Sequence, residues 1–159
     1  MSRIGIGIHG GTHVACAVYF NHIHRVANWQ RWALENGHSL ALQGVAHATV
    51  AQARGKICRE LIGMGCDYWL SLDTDHIVPE ELLPKLLAQL HADEALAIIS
   101  GLITKRMFPY ETVAFRFAPG TKFFLGVDIT HSTGVHKVDG CAFGCTLVDL
   151  KALAALPRP

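Results

Sequence analysis

The sequence predicts an α/β domain with a mostly parallel sheet flanked by helices. Three observations carry this. Short β-branched or apolar runs alternate with longer stretches of helical periodicity through residue 102. Those runs are buried-strand-like, without polar alternation. Gly and Pro fall at the joints between segments. Strand–helix–strand order of this kind builds a parallel sheet covered on both faces.

Taken in order, Ile4, Gly5, Ile6, Gly7 and Ile8 form a first strand ending at Gly10-Gly11. Residues 12–35 lack Gly and Pro and place Val14, Val18, Val26, Trp29 and Leu34 at loosely helical spacing; Asn36-Gly37 stops that helix. Residues 38–43 are a second strand. Residues 48–64 are a helix with Val50, Ala53, Ile57, Leu61 and Met64 on its apolar stripe, which leaves Arg54 and Lys56 off it. Residues 67–72 are a buried strand. Pro79-Glu80-Glu81 opens the next helix, its acids at the positive end of the helix dipole. A start near Glu81 puts Pro84 in the first turn, where its missing N–H has no intrahelical partner. Residues 95–102 are a further buried strand, 113–117 and 123–127 shorter ones. Residues 135–148 are apolar with interspersed Gly and Cys, and 150–156 a short helix.

The chain has 159 residues, half of them hydrophobic and 17% charged, enough for one domain with its own core. That composition excludes a disordered chain. Lys plus Arg is 14 and Asp plus Glu is 13, so no electrostatic footprint for bulk nucleic-acid binding exists. The N-terminus has too short an apolar run for a signal peptide, and no apolar stretch suits a transmembrane helix. The expectation is a soluble, cytoplasmic protein. Five cysteines without a CxxC pair argue for reduced thiols over a zinc site. Cys141 and Cys145 are expected in the core. Among the ten histidines, His9 and His13 are separated by two glycines, and His22 and His24 diverge on a helix, so neither pair reads as a metal site.

The sharpest chemical feature is Leu72-Asp73-Thr74-Asp75-His76. It leaves a buried strand at its carboxyl end, the edge where open α/β sheets bind ligands. Two carboxylates one residue apart can converge on a hard cation such as Mn²⁺ or Mg²⁺. A cation there would neutralise a diphosphate leaving group. The plainer reading is a polar turn in which Asp75 or His76 caps the next helix.

Four blocks in order resemble the GT-A fold glycosyltransferases, particularly family 2-like enzymes of bacteria and phages. They are Ala53-Arg54-Gly55, the stretch DYWLSLDTDHIVPEELLPKLLAQL, the run Ser100-Gly101-Leu102-Ile103-Thr104-Lys105-Arg106 with Pro109-Tyr110, and Val138-Asp139-Gly140-Cys141-Ala142-Phe143-Gly144-Cys145. The resemblance implies a GT-A-like domain with a Rossmann-like sheet, a nucleotide-diphosphate-sugar donor, Mn²⁺ or Mg²⁺, and an unknown acceptor. It makes Asp75 the direct metal ligand and turns Asp73 toward the ribose or, through water, the metal. His76 becomes a metal or acceptor contact. Arg54, Lys105 and Arg106 supply positive charge to the diphosphate.

Two departures qualify what is implied. The family's base-binding turn is Pro-Thr-like; here it is His9-Gly10-Gly11-Thr12, whose glycines permit close approach to a nucleotide. The catalytic acidic pair that inverting members carry after the glycine-containing strand has no counterpart. The expectation is a single domain, residues 1–159, cut short at its C-terminal side. Asp139 is then the acid placed by order to act as base; the alternative is a strand-end residue bonding to backbone. Two rival functions stay open: a nucleotide-sugar-binding module without turnover, and a Mg²⁺-dependent nucleotidyltransferase. An exposed sheet edge would favour a homo-oligomer.

Overall fold

The structure, a computed structural model, describes residues 1–10, 15–46, 48–105, 108, 111–129 and 131–157. Along the chain lie β1 (Arg3–Gly10), α1 (Cys16–Glu35), β2 (Ser39–Ala46), α2 (Val50–Gly63), β3 (Tyr68–Asp73), α3 (Leu82–Ala92) and β4 (Ile98–Ser100). They are followed by β5 (Ala114–Phe117), β6 (Phe124–Gly126), β7 (Gly140–Cys141), β8 (Cys145–Asp149) and α4 (Leu150–Ala154). The main sheet has the order β2-β1-β3-β8-β4 and a second sheet the order β6-β5-β7.

The predicted class holds: a mixed α/β fold with a mostly parallel central sheet flanked by helices. β1 pairs in parallel with β2 and β3, whereas β8 enters antiparallel between β3 and β4. The expected strand at 95–102 contracts to β4 because β8, its one partner, offers a short ladder from Ile98↔Val148 to Ser100↔Thr146. The apolar stretch 135–148 divides between two sheets. β7 pairs with β5, and the chain then crosses through residues 142–144 to start β8.

The alternation in β1 sets both faces of the sheet. Ile4 and Ile6 project with Leu70 and Leu72 into a cluster formed with Trp29 of α1 and Leu83, Leu86, Leu87 and Leu90 of α3. Gly5 and Gly7 project to the other face, against Ile57 and Leu61 of α2 and Trp69. A Cβ at Gly7 would come within 2.4 Å of Trp69 Nε1 and 2.5 Å of Ile57. The glycines therefore let α2 close onto the sheet. Leu150 of α4 completes this second cluster.

Local signals place most helix ends. Thr49 caps α2, and Gln52 closes a capping box with it. Gly37, at φ +72°, follows α1 in the left-handed region. Pro84 falls in the first turn of α3, as expected. Glu81 is the N-cap residue of α3 but makes no side-chain cap bond, and Glu80 turns instead to Arg25 at 2.8 Å. Three expectations are corrected. Leu34 is exposed and its neighbour Ala33 takes the core position on α1. Val50, in the first turn of α2, is also exposed. Cys145 is buried as expected, but Cys141 lies at the surface, because β7 belongs to the small sheet. Among the described residues no helix is long and apolar enough to cross a membrane.

Candidate metal and anion site at the end of β3

β1 lies between β2 and β3, and the chain leaves it first toward β2 and later returns to β3. The carboxyl ends of β1 and β3 thus flank the point where strand order reverses, the place where such sheets open a ligand crevice. His9 and Asp73 are register partners across that point. Side-chain alternation puts both on the face covered by α2, with Gly5, Gly7, Trp69 and Ser71.

Asp73 is the centre of a charged cluster. Arg54 Nη2 donates to Asp73 Oδ1 at 2.9 Å and to Oδ2 at 3.3 Å. His9 Nε2 lies 3.2 Å from Asp73 Oδ1. The Arg54 guanidinium also sits 5.0 Å over the Phe143 ring, which fixes its plane. Burial pushes the His9 imidazole below its usual pKa, Asp73 pulls it back up, and the Arg54 charge lowers it further. A neutral His9 that donates from Nε2 to Asp73 presents Nδ1 as an acceptor. That atom and Arg54 Nε are both buried and, among the described residues, without a hydrogen-bond partner. Both side chains that bond Asp73 thus carry a further buried polar atom that calls for a partner.

Asp75 and His76 follow in the turn beyond β3, with His76 Nδ1 2.6 Å from Asp75 Oδ1. Asp73, Asp75 and His76 each offer a ligand atom, and these atoms all lie within 4.8 Å of one another. Opposed ligands of an octahedral Mg²⁺ lie roughly 4.2 Å apart, a spacing close to the one found here. Two carboxylates and an imidazole suit Mn²⁺ somewhat better than Mg²⁺. The helix-cap alternative does not describe this turn, since the N-cap of α3 is Glu81, well beyond Asp75.

Two supports of this site are not evident from the motif. The first is Gly144. Its carbonyl accepts from Asp73 N at 3.0 Å, and its α-carbon faces the Asp73 carboxylate and the His76 ring. The second is a row of α1 side chains that holds the loop after Asp75 by its backbone. His22 Nε2 is 3.0 Å from His76 O. Asn21 accepts from Val78 N at 3.0 Å and donates to Val78 O at 3.3 Å. Arg25 Nε donates to Val78 O at 3.0 Å, and Trp29 Nε1 donates to Glu80 O at 2.6 Å. Their spacing along one face of α1 was the available signal, but it read as apolar periodicity broken by polar residues. His22 is buried while His24 is exposed, so the two diverge as expected.

The structure gathers His9, Arg54, Asp73, Asp75 and His76 from the predicted set, with Gly10 next to His9 at the end of β1. Lys105 is instead paired with Glu111 beside the Thr104↔Thr112 bridge. Asp139 is held on the small sheet, where Oδ2 accepts from Phe117 N at 2.8 Å. This is the strand-end, backbone-bonded arrangement that stood as the alternative to a base. Thr12 and Arg106 lie outside the described residues, as does His13.

No protein-family model matches the chain, and no curated protein matches it. Among solved structures it is similar to A197 from STIV, at 16% identity and a TM-score of 0.61, over 100% of this chain and 70% of that one. At this identity the likeness concerns the fold.

Proposed function

We propose that this chain is a metal-dependent glycosyltransferase domain that binds a nucleotide-diphosphate-sugar in the crevice at the ends of β1 and β3. The observation that carries the reading is the convergence of Asp73, Asp75 and His76 at that strand-order reversal. Asp75 and His76 would hold the cation, with Asp73 completing the set directly or through water. A bound Mn²⁺ or Mg²⁺ would supply Lewis-acid neutralisation of a diphosphate. The chain's own groups do the rest. Arg54 offsets the Asp73 charge, and His9 helps to fix its carboxylate by a hydrogen bond. The partnerless Arg54 Nε and His9 Nδ1 offer one donor and one acceptor to the donor substrate. Phe143 keeps the guanidinium in plane while Nη2 bonds Asp73, so its positive charge stays beside the crevice.

The decisive experiment is a calorimetric titration of the chain with UDP and GDP, with and without Mn²⁺. Mn²⁺-dependent binding that Asp75→Ala abolishes, with the fold intact, supports the site. Nucleotide affinity that is unchanged in Asp75→Ala removes it. Product analysis then separates reactions: sugar transfer or hydrolysis releases nucleoside diphosphate, whereas nucleotidyl transfer releases pyrophosphate.

A further inference from the structure

The β5–β6 hairpin presents apolar side chains on both of its faces. Arg116 pairs with Leu125, and Phe117 with Phe124. Because side chains alternate along a strand, Phe117 and Phe124 share one face, where their rings meet edge to face at 5.1 Å. Leu125 and Phe123 lie on the other. Exposure is 46% and 55% for Phe117 and Phe124, and 59% and 74% for Leu125 and Phe123. The turn between the strands is well tied. Ala118 N donates to Phe123 O at 2.9 Å, Thr121 Oγ1 donates to Ala118 O at 2.9 Å, and Gly120 supplies a positive φ of +74°. This is a preformed projection.

The charged side chains of the hairpin itself are basic, with Glu111 and Asp128 just beyond its two ends. Residues 112–127 contain Arg116 and Lys122 and no Asp or Glu. Asp139 reaches the turn end of β5, where its Oδ2 accepts from Phe117 N at 2.8 Å, so its carboxylate lies beside Phe117 and away from the Phe123–Leu125 segment. We propose that this hairpin anchors the protein on an anionic lipid surface. Phe123, Phe124 and Leu125 would enter the interfacial layer, while Arg116 and Lys122 reach the headgroup phosphates. Aromatic rings favour that layer, and long cationic side chains extend to headgroups. A flat protein partner would cover one face and leave the other wet. A surrounding lipid medium covers both. Pairing with a second copy through the β6 edge is disfavoured by its three-residue length. β5 also pairs with β7, shortly before Gly144. A seated hairpin therefore tethers the Asp73 site to the membrane surface.

The test is co-sedimentation of the full chain with phosphatidylcholine vesicles, with and without phosphatidylglycerol. The wild type is expected to pellet with the anionic vesicles and far less with neutral ones. The pair Phe123→Ser and Leu125→Ser, at exposed positions, is expected to weaken vesicle binding about tenfold or more while the unfolding midpoint is kept. Lys122→Glu, in the exposed turn, is expected to remove the preference for anionic lipid. Wild-type protein that stays in solution with anionic vesicles overturns the proposal, as do variants that bind like wild type. A concentration-dependent dimer that the Phe123→Ser pair abolishes, without vesicle binding, overturns it in favour of self-association.

Discussion

Gly144 closes one wall of the Asp73 site. A Cβ built at Gly144 would stand 2.8 Å from Asp73 Oδ2, 2.9 Å from His76 Cε1 and 3.1 Å from Asp73 Cγ. A side chain at 144 must therefore push on two of the three candidate ligands at once.

Gly144→Ala is expected to lower Mn²⁺ affinity by about tenfold or more, in the range seen when ligand-orienting neighbours are changed. The cost to folding is smaller, about 1 kcal/mol, because the atoms met belong to side chains at the crevice. Calorimetric Mn²⁺ titration beside a urea unfolding curve separates the two effects. A variant that binds Mn²⁺ as wild type does would show that the 144 wall is not part of the site.

Gly7→Ala probes the opposite case, a glycine that serves packing alone. Its Cβ would meet Trp69 Nε1 at 2.4 Å and Ile57 Cγ2 at 2.5 Å, both in the core beneath α2. Overpacking there is expected to cost roughly 2–3 kcal/mol. The check is the urea midpoint at unchanged slope. A midpoint equal to wild type would mean that α2 can lift from the sheet freely.

The carboxylate of Asp67 provides a pH signature at the other end of the sheet. It accepts from Arg3 N at 2.9 Å and pairs with Lys151 at 3.0 Å. The Arg3 N–H and then Lys151 hold its pKa below the ordinary 3.8. A folded pKa below the unfolded one means stability that is present above pH 3.8 and is lost as pH falls through the folded value. Asp67→Asn is expected to cost roughly 1 kcal/mol at neutral pH, given its partial exposure. Wild type and variant are expected to converge in acid; melting temperatures across pH would show it. A gap that does not narrow as the pH falls below 3.8 would contradict the assignment.

The thiols are expected to differ in reactivity. Burial pushes the Cys145 thiol up to about 11, and the nearby Asp73 carboxylate adds to the rise. At pH 8 about one molecule in a thousand carries that thiolate. Cys16 is exposed on α1. Iodoacetamide applied to the native protein, followed by peptide mass mapping, is expected to label Cys16 first and spare Cys145. Early labelling of Cys145 would mean that β8 opens readily.

How far these features could be read in advance depended on sequence distance. β1 was legible because Ile and Gly alternate at the strand period, and α2 because Ala53, Ile57 and Leu61 recur at the helical one. The Asp73 cluster was legible in its candidate ligands, since three lie within four residues, and Arg54 followed from block order. The role of Arg54 differed: its fork is turned onto Asp73. The α1 clasp on Val78 was not legible, because its bonds span more than fifty residues and use a mixed polar face. The antiparallel entry of β8 was equally hidden, since pairing direction leaves no mark on local periodicity. That entry is what brings Gly144 to Asp73.

The position of β8 has a consequence for the order of assembly. It is made late in synthesis yet lies between β3 and β4, strands finished earlier. A nascent chain that has emerged through Ser100 holds two strand edges with nothing to join them. Loop-closure cost is repaid only when residues 145–149 arrive. The same arrival delivers the Gly144 carbonyl to Asp73. Completion of the sheet and completion of the crevice are therefore one event, and no partly folded chain carries the finished crevice.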